Sequence, residues 1–249
     1  MLTPQGRCET RFTMAERLHR VADFRLLHAL RVRWAEVDLQ KIVFNPHYLA
    51  YVDTAMADYW RALALPYEAS LQRLGGDLFV KKSTLEFHAS AHYDDRLTVG
   101  LRCARIGNSS LQFLSGIFRD QELLVSAELV YVFADPIAKT ALTVPLPLRN
   151  TMLAYEQDQP IVRQQMARWD EVQAVVQRLR APDDHDADAV HCVLRNALDE
   201  PIATARMRVQ AAESDGVAVI DSLRGAGWGR AAAAALRQLP RPGVASLSP

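Results

Sequence analysis

The stretch 31–66, RVRWAEVDLQKIVFNPHYLAYVDTAMADYWRALALP, decides the fold. Leu49, Val52, Met56, Tyr59 and Leu63 recur at helical spacing, so 46–63 reads as a helix. Asn45 suits the N-cap, and Pro46 suits the first helical position, where its missing N–H leaves no bond unmade. Pro66 stops the run. At about 1.5 Å per residue the helix is roughly 27 Å long, enough to cross a sheet. Ahead of it lie a β-prone run at 24–34, FRLLHALRVRW, and a loop at 35–44, AEVDLQKIVF.

Downstream the period changes to two. In LEFHASAHY (85–93), Leu85, Phe87, Ala89, Ala91 and Tyr93 alternate with polar residues, which predicts a strand with one dry face. Asp94-Asp95 turns the chain into RLTVGLRCARIG (96–107). Gly107-Asn108 turns it into SSLQFLSGIFRD (109–120), and Asp120-Gln121 into ELLVSAELVYVFAD (122–135). These are antiparallel hairpin signals. One long helix followed by a strand meander predicts an α+β domain in which a curled antiparallel sheet wraps the helix.

After Pro136 the character changes. PLPLRNTMLAYE (145–156) reads as a short closing helix, and 157–180 as helical with mixed charge. PDDHDAD (182–188) is an acidic linker. Two shorter β-like runs follow, VHCVLRN and PIATARMRVQ, and SLRGAGWGRAAAAALRQL (222–239) leads into a tail rich in Pro, Gly and Ser. The expected organisation is an N-terminal extension at 1–22, a first domain at 23–156, a second segment at 157–240 and a disordered tail at 241–249.

Across 249 residues, 29 Lys plus Arg balance 29 Asp plus Glu. The chain as a whole therefore has no electrostatic bias towards nucleic acid or an anionic membrane. Cys8, Cys103 and Cys192 are odd in number and widely spaced, against both a disulfide framework and a zinc site. No run reaches the roughly 18 apolar residues of a membrane span. The first twenty residues lack the apolar centre of a secretory signal, Met14 is a candidate start, and the expected compartment is the cytoplasm.

A nucleophile elbow G-x-S-x-G is absent. His88 and His92 share a strand face but stand roughly 13 Å apart, too far to share a metal. The loop at 35–44 is different. It sets the Asp38 carboxylate seven residues ahead of a helix start whose free N–H donors can hold a developing oxyanion. A carboxylate there can attack a thioester carbonyl or activate a water. By spacing alone Asp38 equally serves as the cap of a turn.

The run RVRWAEVDLQKIVFNPHYLAY resembles the signature of the 4-hydroxybenzoyl-CoA thioesterase family of hot-dog proteins. In that family an Asp precedes I/V-V-[FY]-x-x-x-Y at the start of the central helix. The resemblance spans roughly 24–155 and includes FVKKSTLEFHASAHYDDRLTV. It implies hydrolysis of an acyl-CoA thioester without metal or redox cofactor. Asp38 would be nucleophile or general base, and the backbone N–H of Asn45 would polarise the carbonyl. It also implies a homodimer or homotetramer, because sheet edges join and the site is completed across the interface. Lys41 stands where the family usually has a small residue, often Gly. His47 stands where it often has Asn or another polar residue, and is a further catalytic candidate beside its plainer reading as a helix residue that satisfies a local hydrogen bond. A neutral chain needs a local cationic patch for CoA, and Lys81, Lys82, Arg102 and Arg105 are the candidates. Each of these four reads equally well as a solvated surface charge.

The second segment resembles part of a GNAT-type N-acetyltransferase, through DDHDADAVHCVLRNALDEPIATARMRV and then RGAGWGR. Arg224, Gly227 and Gly229 fit the R-x-x-G-x-G/A spacing, with Gly225 an added glycine. The chain ends before the strands that complete that sheet, so the segment reads as degenerate or truncated and without acetyltransferase activity. Two rivals to the thioesterase stand. A hot-dog dehydratase or hydratase needs a catalytic His and Asp in its own pattern, which the chain lacks. A non-catalytic acyl-CoA-binding protein would keep the pocket, and Lys41 is the feature that favours it.

Overall fold

Pro46 opens helix α1 (Pro46–Ala62) where the sequence places it. The buried stripe runs through Tyr48, Val52, Ala55, Tyr59 and Leu63. It is displaced slightly from the expected one, since Leu49 is half-exposed. The helix ends before Pro66 is reached, because Ala64 adopts a left-handed φ of 59°. Ala64 N donates to Arg61 O at 3.1 Å and Leu65 N to Trp60 O at 3.2 Å, the paired bonds of a Schellman stop. The computed structural model describes residues 20–208 and 214–238. Most of the expected extension at 1–22 and all of the tail at 241–249 lie outside the described residues.

The chain forms two compact units, Met1–Ala55 with Phe79–Val132, and Met56–Leu78 with Phe133–Pro249. The first is built on a five-stranded sheet of β1 (Leu26–Arg31), β2 (Asp77–Phe87), β3 (Arg96–Ile106), β4 (Ser110–Arg119) and β5 (Glu122–Ala134), in the order β1-β3-β4-β5-β2. β1, β3, β4 and β5 pair antiparallel, with Leu26 opposite Leu101, Gly100 opposite Gly116 and Phe113 opposite Leu129. The glycine pair makes room for a ring: a Cβ at Gly100 would lie 2.5 Å from the Phe24 side chain. Phe24 in turn stacks edge-on against Phe118 at 5.8 Å.

One strand differs from expectation. The run read as 85–93 ends at Phe87 and begins at Asp77. His88 N and Ala89 N both turn to Leu124 O, at 2.8 and 3.1 Å, so the extended pairing stops there. The dry face is missing too, because β2 is the outer strand and Phe87 remains 50% exposed.

The second unit holds α2 (Tyr67–Leu74), α3 (Leu146–Glu156) and a four-stranded antiparallel sheet, β6 (Arg163–Ala167), β7 (Ala189–Arg195), β8 (Pro201–Arg208) and β9 (Ser214–Val219). Helices α4 (Trp169–Leu179) and α5 (Trp228–Arg237) cover opposite faces. Val193 packs with Val172 and Val176 of α4, whereas its neighbours Cys192 and Leu194 pack with Ala232 and Leu236 of α5. The expected helix over 157–180 is therefore corrected. Residues 163–167 of it are the edge strand β6, whose sequence RQQMA lacks alternation because neither of its faces is continuously buried. The closing helix at 145–156 and the paired runs after the acidic linker form as read.

Candidate functional site

The loop between β1 and α1 is a small hairpin. Val37 bridges Val43, Asp38 N donates to Ile42 O at 2.9 Å, and Lys41 N donates to Asp38 O at 2.9 Å. Asp38 Oδ1 accepts from Gln40 N at 2.8 Å, so the carboxylate does cap its turn. That occupies one oxygen; among the described residues Oδ2 has no protein partner. Lys41 closes the turn with φ 63°, a conformation glycine adopts freely and other residues at a cost of about 1–2 kcal/mol. The absent glycine of the resemblance is thus a backbone position that still needs glycine-like geometry.

The hairpin is held from two sides. It is joined to 91–92 by the Ile42–His92 bridge and by Val43 N donating to Ala91 O at 2.9 Å. Ala91 N donates to the buried Tyr48 hydroxyl at 2.9 Å, which ties that segment to the first turn of α1. On the other side Glu36 is almost wholly buried, at 3% exposure. Its Oε2 accepts from Arg33 N at 2.7 Å and from the Tyr51 hydroxyl at 2.8 Å, and its Oε1 from Arg33 Nε at 2.7 Å. Burial pushes the Glu36 carboxyl up, but the Arg33 amide, the guanidinium and the Tyr51 hydroxyl outweigh it and hold the group below its ordinary value. Burial and then the Glu36 bond raise the Tyr51 hydroxyl above its own.

Asp38, Lys41, Phe44 and His47 share an open cleft of about 890 Å³, walled further by Trp34 and Tyr93, whose rings meet edge-on at 5.6 Å. Trp34 is 75% exposed and Leu39 fully so, an unusual apolar display beside a carboxylate. Asn45 borders a smaller hollow of about 160 Å³ with Tyr48, His88 and Ser90. Its carbonyl accepts from Tyr48 N at 3.3 Å. Among the described residues its own N–H has no acceptor, and its side chain makes no capping bond, contrary to the N-cap expectation. The structure thus gathers Asp38, Lys41 and His47 in one cleft and sets Asn45 on an adjoining hollow.

The four cations do not converge. Lys82 pairs with Glu128 at 3.1 Å on the outer strand, where Lys81 is exposed. Arg102 donates to Asp23 O at 3.3 Å, and Arg105 sits at a bulge in β3. Three strand spacings separate β3 from β2, roughly 14 Å. His88, given little weight by the sequence, places Nε2 2.9 Å from Ser126 Oγ and lines the hollow beside Asn45. Glu36, Tyr48 and Tyr51 escaped the sequence reading. The available signal was a carboxylate inside the apolar run Trp34–Val37, a place where an unpaired acid is costly. Among the described residues no three His, Cys, Asp or Glu side chains gather as a metal site, and no helix is long and apolar enough to cross a membrane.

Residues 40–126 match the Thioesterase superfamily, a segment that begins just after Asp38. The acyl-CoA thioester hydrolase YbgC of Escherichia coli is 26% identical over 118 residues, covering 47% of this chain and 87% of that protein. The Shigella flexneri protein of the same name matches equally. A 1,4-dihydroxy-2-naphthoyl-CoA thioesterase from Synechocystis superposes with a TM-score of 0.50 at 19% identity, over 54% of this chain and 98% of that one. A Staphylococcus aureus protein solved in complex with CoA gives a TM-score of 0.50 at 14% identity, over 54% and 85%. The last two are likenesses of fold. Residues 40–126 therefore form a thioesterase-superfamily domain of hot-dog architecture, and the enzyme class expected from the sequence, a thioesterase, stands.

Proposed function

We propose that the first unit hydrolyses an acyl-CoA thioester to the free acid and CoA, with Asp38 as the reacting carboxylate and the Asn45 N–H as carbonyl donor. The observation that carries this is the state of the Asp38 carboxylate. One oxygen is fixed in its own turn, and the residue lines an open, mainly apolar cleft together with Phe44 and His47 at the start of α1. The curated relatives, acyl-CoA thioester hydrolases by name, supply the substrate class.

Two routes use the same atoms. In one, Asp38 Oδ2 bonds to the thioester carbonyl carbon, CoA leaves as thiolate and takes a proton from water, and water then cleaves the mixed anhydride. In the other, Asp38 takes a proton from water as that water adds to the carbonyl, and the departing thiolate receives it. Either route develops negative charge on the carbonyl oxygen, which a free backbone N–H stabilises. No step calls for a metal or redox cofactor. Lys41 and the basic residues of β2 and β3 are the candidates for the phosphates of CoA, and His47 for a polar contact at the cleft. The exposed outer strand β2 favours a homodimer or larger homo-oligomer, since such an edge is normally covered.

The test is release of free thiol from a panel of acyl-CoA esters. Asp38→Asn should lower kcat by at least about a hundredfold, the scale of a lost general base, with the melting temperature unchanged. A folded Asp38→Asn protein with a near-normal rate would remove Asp38 from the chemistry.

The second unit supports a further, non-catalytic reading. The order β6-α4-β7-β8-β9-α5, with Gly225 and Gly227 both at φ 87° before α5, favours a degenerate acetyltransferase-like module. Acetyl-CoA in excess should leave its proton-exchange pattern unchanged.

A further inference from the structure

We infer that Glu36 is a positioning residue of this site, fixing the Asp38 turn against the first turns of α1. The inference rests on the reading of Asp38 as the reacting carboxylate. Glu36 is bound at both of its ends. Its carboxylate reaches α1 through the Tyr51 hydroxyl at 2.8 Å, and its own carbonyl O accepts from Phe44 N at 2.9 Å, on the far side of the hairpin. Arg33 N and Nε close the remaining valences at 2.7 Å each. The residue therefore ties together the strand before the turn, the strand after it and the helix, two positions ahead of Asp38.

Every group facing the carboxylate is a donor: the Arg33 amide, the Arg33 guanidinium and the Tyr51 hydroxyl. Only an ionised carboxylate, with acceptors on both oxygens, satisfies all of them. An amide of the same size must turn an N–H towards another donor, so Glu36→Gln loosens the loop without removing volume. In a site where the reacting atoms must be held to within a fraction of an ångström, such loosening lowers the rate more than the binding.

The experiment compares Glu36→Gln, Tyr51→Phe and Asp38→Asn in acyl-CoA hydrolysis, at a temperature where circular dichroism shows each to be folded. The expected result is a fall in kcat of about tenfold for Glu36→Gln and about threefold for Tyr51→Phe, with KM within twofold of wild type in both. Should Glu36→Gln fail to fold, Tyr51→Phe decides, because it leaves the Arg33 pairing in place. If Asp38→Asn abolishes turnover while the folded Glu36→Gln, or failing it Tyr51→Phe, keeps a normal kcat, the positioning role is overturned and the function stands. If the loss appears in KM alone, Glu36 shapes binding and the positioning role is likewise overturned. If Asp38→Asn itself turns over normally, both fall together.

Discussion

Lys41 shows how a single backbone angle outlasts the residue that would adopt it most easily. The turn 38–41 needs a left-handed fourth residue, because only then does Lys41 N reach Asp38 O while Ile42 bridges His92. Lysine meets that need at a cost of about 1–2 kcal/mol, which the surrounding bridges offset. Lys41→Gly should therefore leave stability unchanged or raise it by up to about 1 kcal/mol, since relief of the angle competes with the greater freedom glycine has when unfolded. Lys41→Val should lower it by more than about 1 kcal/mol, because a β-branched side chain tolerates that region worst. Urea melts of the two variants check this. A Lys41→Val protein as stable as the wild type would mean the turn does not hold this angle in solution.

At the scale of elements, α4 packs its valines on the sheet and ends at a buried ionic cluster. Asp186, 1% exposed, pairs with Arg180 at the end of α4 and with Arg206 of β8, and the buried His191 ring donates from Nε2 to Asp186 O at 2.9 Å. Burial raises the Asp186 carboxyl, but Arg180, the Asp183 amide and Arg206 outweigh it and bring it from 3.8 down to about 2. A depressed carboxyl stabilises the fold above its ordinary value and ceases to do so as pH falls through the folded value. The gap is worth about 2 kcal/mol, to be lost between roughly pH 4 and pH 2. Asp186→Asn should destabilise the neutral protein by about 3 kcal/mol, since it removes the buried carboxylate that Arg180 and Arg206 share. It should also flatten that acid limb; unfolding curves at a series of pH values decide. This cluster was not legible in the sequence, where PDDHDAD reads as a solvated linker. Besides Arg180, its acids are met by Arg206, which pairing with β7 brings over them from a strand the linker does not adjoin. By contrast, α1, the hairpins from Arg96 to Ala134 and the Asp38 loop were legible. Their signals lie in period, capping residues and turns that neighbouring positions supply. Edge strand β6 and the true span of β2 were not, because neither buries a continuous face that would impose alternation.

Across the whole molecule, the end of α1 is tied to residues more than a hundred positions later. Trp228 Nε1 donates to Arg61 O at 2.9 Å, and Asn196 Nδ2 donates to Ala64 O at 3.1 Å, the carbonyl of the residue that stops the helix. Ala64 is fully buried in a cluster with Leu194, Ile202 and Leu236. The sequence places a boundary near 156, by which point the strands of the thioesterase domain and the Asp38 loop are already complete. The contacts give that boundary a different meaning, because α2 and the second half of α1 group with the C-terminal sheet. Deleting everything after Tyr155 removes both donors and uncovers the apolar residues around Ala64. At about 25 cal/mol per Å² of apolar surface, that amounts to several kcal/mol and a melting temperature lower by about 10 °C or more. Turnover should survive where the truncated chain remains folded, since Glu36, Asp38, Asn45 and His47 all belong to the first unit. The comparison is kcat/KM at low temperature together with thermal melts of both forms. A truncated chain that melts with the full one would show that the C-terminal sheet does not hold the end of α1. A truncated chain that folds yet cannot turn over substrate would place part of the active site beyond residue 155.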